Sequence, residues 1–291
     1  MEEFFIKLKQ LFCYGDILTK LICINVGVFL VIHLLEVCLI LFNLDFSLLP
    51  WLELPSSPVA LMYKPWTIIT YMFTHYGFWH ILFNVLVLYW FGKIFLEFFT
   101  PRQLGGLYIL GGIAGGFLFM VAYNVFPYFR ALTADSVLIG ASASVMAIVF
   151  AVSFYQKDYE IGLLFIGRIK LIYLALGVFV LDLLAITSTN AGGHIAHIGG
   201  ALLGLWFASR IRMGKDLTAP LNRVIDKIAN LGKRKPKMRV TYKRAETKYD
   251  FNARKNAENA EIDAILDKLK QSGYTSLSGD EKKKLFDASK K

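Results

Sequence analysis

The sequence is poor in charge and in cysteine. Of its 291 residues 19% are charged and 56% are hydrophobic, with a mean hydropathy of +0.50, whereas a soluble domain carries about 25% charged residues. Its three cysteines, Cys13, Cys23 and Cys38, provide neither a paired disulfide framework nor a CxxC metal motif. These shortages exclude a disordered chain and a disulfide-stapled secreted domain. The apolar excess is typical of a polytopic membrane protein.

The few charges are unevenly distributed along the chain. Residues 1–209 carry 10 Lys and Arg against 11 Asp and Glu, whereas residues 210–291 carry 22 against 11. The positive excess therefore belongs to the C-terminal part. We expect a cytoplasmic N-terminal segment at 1–20, a membrane domain at 21–212, a basic linker at 213–256 and a short helical tail at 257–291.

The membrane domain contains six apolar segments long enough to cross a bilayer as helices, which takes about 17–25 residues. They are residues 21–42, 78–99, 104–126, 138–155, 170–187 and 193–208. Lys and Arg collect in alternate connecting segments, and such segments stay on the cytoplasmic side. The sequence thus predicts an all-α, six-helix protein of the cell inner membrane, surrounded by lipid, with both termini in the cytoplasm.

The first predicted outside loop, residues 43–77, is rich in tryptophan, tyrosine and proline. Aromatic rings settle at the headgroup level of a bilayer, so we expect this loop to lie in the membrane interface. A loop folded outside the membrane is the alternative.

The C-terminal tail carries helix signals. Gly273 is placed to end a first helix, and Ser278 with Glu281 forms a capping box for a second. The basic cluster at 233–237 is expected to contact anionic lipid; nucleic acid is the alternative, and no specific nucleic-acid partner is predicted. The apolar residues of the first helix follow the spacing i, i+3, i+4, i+7: Ile262, Ile265, Leu266 and Leu269.

Four of the polar residues inside the apolar segments lie near the starts of the second, fourth and sixth segments. His80 and Asn84 lie four residues apart on one face of the second segment, Ser142 lies in the fourth and His197 in the sixth. Polar groups inside a membrane are costly and need an explanation. Taken singly, each has a structural one, such as a bond back to its own helix or a bond between helices.

Topology brings these residues together. The second, fourth and sixth segments run in the same direction, so their starts lie at one face of the membrane. There Ser142 could act as a nucleophile and His197 as its base, which are the groups that acyl transfer requires. Small residues every four positions allow the fourth and sixth helices to approach closely; they are Ala143, Ala147 and Ala151, and Ala196, Gly200, Gly204 and Ala208.

The strings HYGFWHILFN, GASAS and AHIGGALLG, in this order on the second, fourth and sixth segments, resemble the rhomboid family of intramembrane serine proteases. The basic tail resembles an extension of some bacterial members. The resemblance implies Ser142 as nucleophile and His197 as general base, with His80 and Asn84 stabilising the oxyanion. It gives supporting positions to His75, Gly140 and Ala143, and implies neither metal nor other cofactor.

The sequence therefore predicts a serine endopeptidase that cleaves transmembrane segments of other membrane proteins. Asp182 in the fifth segment has no spacing that directs it at His197, so we expect a Ser–His dyad. The alternative is an inactive rhomboid-like protein that binds transmembrane helices, since Ala143 stands where the family has glycine. A secondary transporter would show internal repeats and a midplane site, and the sequence has neither signal. It assigns no oligomeric state.

Overall fold

The computed structural model describes residues 15–163, 167–230 and 248–289. The chain divides into two compact units, Met1–Leu231 and Gly232–Lys291. Most of the predicted N-terminal segment, including Cys13, lies outside the described residues, and so does the basic cluster at 233–237.

Helices make up most of the described residues, and two short antiparallel strand pairs accompany them. The helices are α1 (Ile17–Leu41), α2 (Leu49–Leu52), α3 (Pro58–Tyr63), α4 (Thr67–Thr70), α5 (Phe78–Phe98), α6 (Pro101–Val125), α7 (Pro127–Arg130), α8 (Ser142–Tyr155), α9 (Leu171–Leu184), α10 (Ala191–Arg212), α11 (Ala219–Ala229), α12 (Lys248–Ser272) and α13 (Gly279–Ser289). The strands are β1 (Leu54–Pro55) paired with β2 (Val137–Leu138), and β3 (Glu160–Leu163) paired with β4 (Gly167–Lys170). The predicted all-α membrane class is confirmed.

A helix is present at each of the six predicted apolar segments. Three of them, α1, α5 and α6, are long and apolar enough to cross a membrane. The apolar helices α8 and α9 have 14 residues each, and α10 has 22. That all six helices span the membrane stays a prediction.

Local sequence signals set the ends of these helices. Asp16 caps α1, accepting a bond from the Thr19 amide at 2.7 Å. Thr100 and Gln103 form a complete capping box at α6, and Pro101 occupies its first turn, where no amide donor is needed. These caps satisfy amide groups that have no partner within the helix.

The fourth helix begins later than predicted, at Ser142 rather than at residue 138. Residues 137–138 instead form β2, whose Leu138 pairs with Leu54 of the loop at 43–77. Gly140 then adopts φ +116°, a conformation that ends any helical path before it. Because of this pairing, the folded loop and the start of α8 are held together.

Helix α8 forms the centre of the bundle, between α6 and α10. Almost every residue after Ser142 in this helix is buried. A Cβ built on Gly200 would overlap the Ala143 carbonyl oxygen, and one on Gly204 would overlap the Ala147 carbonyl oxygen. The close approach predicted from the small-residue spacing is thus confirmed, and glycine is what permits it.

The loop at 43–77 is folded, with short helices joined by hydrogen bonds. The Trp66 indole Nε1 donates to the Trp51 carbonyl at 2.7 Å, and Lys64 Nζ donates to the Pro50 carbonyl at 2.9 Å. The side chains of Tyr71 and Met72 are fully buried. Its predicted position in the membrane interface stays a prediction.

The region 213–256, predicted as a continuous basic linker, is partly helical, so the prediction is wrong in this respect. It contains α11, which packs on the start of α6, where Arg102 and Asp226 form an ion pair at 3.2 Å. Helix α12 then begins at Lys248, earlier than the predicted tail. Net positive charge suggested an extended segment, but polar contacts hold α11 on α6: the Asn222 amide also donates to the Arg102 carbonyl at 3.1 Å, whereas the apolar side chains of Val224 and Ile228 are exposed.

The tail is helical, as predicted. Helix α12 ends before Gly273, which has φ +77°. The capping box of α13 is complete: the Ser278 amide donates to Glu281 at 2.7 Å, and the Glu281 amide donates to Ser278 Oγ at 3.3 Å. The apolar stripe buries Ile265.

Candidate active site

A cavity of about 590 Å³ lies at the starts of α5, α8 and α10. All four residues predicted to form the site line it: Ser142, His197, His80 and Asn84. Its remaining walls are mainly apolar, from side chains that include Phe83, Val87, Val145, Met146 and Val178. The structure thus brings together what the sequence predicted from the common direction of three helices.

Ser142 is the first residue of α8, so its backbone N–H has no acceptor within the helix. The turn before it is fixed at Gly140, whose amide donates to the Tyr71 carbonyl at 2.9 Å. A Cβ built on Gly140 would lie 2.7 Å from His80 Nε2. The supporting role predicted for Gly140 therefore has two physical reasons, its positive φ and the contact with His80.

Ser144, two residues further on, faces the opposite way. It is fully buried, and its Oγ lies 3.9 Å from Met72 Sδ. A Cβ built on Gly112 of α6 would lie 2.8 Å from the same Oγ. Ser142 is the serine that lines the cavity.

His80 and Asn84 line the cavity next to the Ser142 turn, and His75 is buried behind His80 without lining the cavity. The rings of His75 and His80 meet edge to face with centroids 5.0 Å apart. Burial, followed by the charge of His80, lowers the pKa of His75 to about 4, so its Nε2 can accept a long, 3.5 Å bond from the Ala141 amide. The Asn84 amide donates one hydrogen to the His80 carbonyl at 2.8 Å and keeps a second for other acceptors.

Asp182 joins the site, and the prediction that no carboxylate orients His197 is wrong. Asp182 Oδ1 lies 2.9 Å from His197 Nδ1 and 2.8 Å from His194 Nδ1. An ionised carboxylate only accepts hydrogen bonds, so each Nδ1 carries a proton. In the neutral ring, Nε2 of His197 is then the nitrogen that can accept a proton from another group.

The signal for Asp182 was present in the sequence. An acidic residue in an apolar helix must face a partner, because isolated charge in a bilayer is expensive. His194 and His197, at i and i+3 at the start of α10, share a helix face. Which way Asp182 points depends on the rotation of α9 against α10, and sequence spacing alone does not contain that rotation.

Ser142 and His197 share the cavity without a hydrogen bond between them among the described residues. Catalytic hydrogen bonds are often long in the absence of substrate and tighten when it binds. The arrangement provides a hydroxyl at a helix start, an imidazole held by a carboxylate, and polar donors beside the hydroxyl.

The side chain of Ala143 points away from the cavity. A Cβ built on Gly115 of α6 would lie 2.5 Å from the Ala143 Cβ. The methyl group does not face the sixth helix, because the Ala143 backbone, not its methyl, meets Gly200. Its supporting role is thus to fill space between α8 and α6.

Fold and site together define a class: a helical membrane protein with a polar cavity built from the starts of three helices. The chain belongs to the rhomboid family, because the model of the Rhomboid domain matches residues 63–213, more than half of the chain. A second model, a family of unknown function (DUF6576), matches residues 247–291.

Curated relatives agree with this assignment. The chain is 30% identical over 161 residues to RHOMBOID-like protein 12, mitochondrial, of Arabidopsis thaliana, covering 51% of this chain and 47% of the relative. It is 30% identical over 149 residues to Rhomboid-related protein 1 of Caenorhabditis elegans (50% and 39%). It is also 30% identical over 139 residues to Presenilin-associated rhomboid-like protein A, mitochondrial, of Danio rerio (46% and 34%).

The chain spans less than half the length of these relatives. Two of them are named as mitochondrial proteins. The comparisons therefore support a membrane protein of the rhomboid family without supporting the cell inner membrane that the sequence predicted.

Proposed function

We propose that this protein is an intramembrane serine endopeptidase that cleaves transmembrane segments of other membrane proteins. The observation that carries the proposal is the shared cavity of Ser142 and His197, with Asp182 bonded to His197 Nδ1. Family membership agrees with this activity. The proposed unit is Ser142, His197 and Asp182, in place of a dyad.

The first chemical step is acylation of Ser142. Its Oγ attacks the peptide carbonyl carbon while His197 Nε2 takes the hydroxyl proton. Negative charge develops on the carbonyl oxygen, where the Ser142 N–H, the Asn84 amide and His80 can donate hydrogen bonds. Fixed donors at a helix start suit this charge, because they also lie at the positive end of the helix dipole.

Collapse of the tetrahedral intermediate completes the cycle. The C–N bond breaks, His197 returns its proton to the leaving amine, and the acyl group remains on Ser142. Water then attacks the ester carbon, giving its proton to His197, and Ser142 leaves with that proton restored. Asp182 stays ionised throughout and stabilises the imidazolium that forms twice.

The walls of the cavity favour a membrane-embedded substrate. Phe83, Val87, Met146 and Val178 give it an apolar side next to the polar groups. A transmembrane segment that unwinds locally would place its side chains against these residues and its carbonyl near Ser142. We also propose that both termini lie on the Lys- and Arg-rich side of the membrane.

The decisive experiment uses the purified full chain in liposomes with a generic transmembrane substrate. Cleavage and labelling by a fluorophosphonate are expected, and both are expected to disappear in the Ser142→Ala variant. A substrate cut equally fast by this variant would overturn the proposal.

The alternative function is an inactive rhomboid-like protein that binds transmembrane helices. Its supporting observation is Ala143 in place of the family glycine. Because the Ala143 methyl packs toward Gly115 and not into the cavity, we expect Ala143→Gly to change the cleavage rate by less than about tenfold, or ~1.4 kcal/mol of barrier. Activity that appears only with glycine at 143 would establish the alternative.

A further inference from the structure

Asp182, His194 and His197 place three metal-binding donor atoms in one small volume. One ligand atom from each residue, a carboxylate oxygen or a ring nitrogen, lies within 4.8 Å of the other two, and Asp182 Oδ1 is in direct contact with Nδ1 of both histidines. One carboxylate oxygen and two imidazole nitrogens form a common ligand set for Zn²⁺, with water as the fourth ligand. The cavity described above contains Asp182 and His197 in its wall, so a hydrated ion can reach the cluster.

The two N–O distances need little adjustment to hold an ion, whereas the two histidine ligand atoms, up to 4.8 Å apart, would close by up to about 1.5 Å. Zn–N and Zn–O bonds near 2.0–2.2 Å place two ligands of a tetrahedral ion about 3.3 Å apart. The observed N–O pairs, at 2.8 and 2.9 Å, would open by about half an ångström. Both histidine side chains are about one-fifth exposed, so their rings are not locked by packing.

A second observation points to the same place. Asp182 is only 4% exposed, and its buried Oδ2 has no hydrogen-bond partner among the described residues. Buried polar atoms are normally satisfied. A cation bound to this carboxylate, or the water that such a cation holds, would give Oδ2 an interaction partner.

We propose that Asp182, His194 and His197 form a reversible Zn²⁺ site that inhibits the enzyme. Coordination through Nδ1 displaces the proton that His197 shares with Asp182, and in the neutral ring that proton moves to Nε2. His197 then has no free nitrogen to accept the Ser142 proton. The inhibition rests on the proposed protease function, whereas the binding of zinc does not.

Binding is therefore tested apart from activity. The full-length Ser142→Ala variant, purified without a histidine tag and stripped with EDTA, is titrated with ZnCl₂ by calorimetry. One zinc per chain is expected, and Mg²⁺, which prefers oxygen ligands, is not expected to compete. Adding His194→Ala or His194→Gln is expected to weaken binding by at least about tenfold. The matched control is His33→Ala, since His33 lies on α1 and its ring nitrogens contact the Phe29 and Tyr76 carbonyls and no residue of the cluster.

Zinc binding that His194→Ala and His194→Gln leave unchanged, or no saturable binding at all, would overturn the site. Inhibition is then measured on the otherwise natural chain with a transmembrane substrate. Zinc is expected to stop cleavage, and EDTA is expected to restore it. The His194→Gln variant, compared with its own zinc-free rate, is expected to lose a much smaller fraction of its cleavage at the same zinc concentration. Stoichiometric binding without loss of cleavage would overturn the inhibitory role. A natural chain that never cleaves would refute the proposed function and leave the site to be judged by calorimetry.

Discussion

Two serines stand two residues apart at the start of α8, and their surroundings assign them different roles. Ser142 lines the cavity, whereas Ser144 is sealed between Met72 and Gly112. We expect Ser142→Ala to abolish fluorophosphonate labelling. Ser144→Ala, which removes only a weak contact with sulfur, is expected to keep most of both labelling and cleavage. The opposite pattern would mean that the helix is rotated relative to the cavity.

Asp182 determines which nitrogen of His197 is free. We expect Asp182→Asn to lower kcat by about 10²–10⁴-fold with little change in KM, because an amide can present N–H to Nδ1 and favour the wrong tautomer. Steady-state cleavage in detergent measures both constants, and thermal unfolding checks that the variant folds. Asp135→Asn, an exposed carboxylate in the loop before α8, is the control. An unchanged kcat in Asp182→Asn would return the site to a dyad.

At the scale of elements, the packing of α8 against α10 depends on glycine. A Cβ on Gly200 would meet the carbonyl oxygen, carbon and Cα of Ala143, which are backbone atoms that cannot rotate away. We expect Gly200→Ala to separate the two helices, to cost about 1–3 kcal/mol of stability and to lower cleavage by about 10²-fold through displacement of His197 from Ser142. Thermal unfolding and cleavage assays measure the two effects.

The matched control for that change is Gly177→Ala on α9. Gly177 is also helical, but it is exposed, and a Cβ there would meet nothing within 4 Å. This variant is expected to keep full activity and to gain slightly in stability, since alanine favours helix over glycine. Equal losses in both variants would show that helix flexibility, and not the α8–α10 contact, matters.

The sequence predicts the helices better than what lies between them. Length and hydropathy locate all six apolar helices, and small-residue spacing identifies the α8–α10 contact. The start of α8 was missed because Leu138 is as apolar as the helix that follows, while its strand pairing with Leu54 joins residues 84 positions apart. The β3–β4 hairpin was missed because four-residue strands give little pattern.

The residues of the candidate site likewise fall into those that the sequence predicts and those that depend on how the helices pack. Four site residues could be predicted, because the common direction of their three helices alone brings the helix starts to one face of the membrane. They are Ser142, His197, His80 and Asn84. Asp182 could not be predicted, since its contact with His197 depends on how α9 is rotated. The direction of the Ala143 methyl likewise depends on three-helix packing around α8.

At the scale of the whole molecule, the distribution of charge and the directions of the helices together predict the membrane topology. The starts of α5, α8 and α10 surround one cavity, so these three helices run the same way. The helices between them must return, which gives an even number of crossings if each apolar helix spans the membrane. The segments at the far ends of α5, α8 and α10 hold most of the Lys and Arg of the membrane domain, and such segments remain on the cytoplasmic side.

We therefore expect tags placed before Met1 and after Lys291 to be on the same side of the membrane, and a tag near Pro58 to be on the other. In sealed right-side-out vesicles, added protease should remove the Pro58 tag and spare both terminal tags until detergent is added. A tag inserted at residues 164–166, between α8 and α9 in the chain, serves as an internal control, because it should behave like the termini. Termini on opposite sides would require an odd number of crossings. One of the short helices α8 and α9 would then fail to span, and the charge argument that orients the cavity toward the outer face would fall with it.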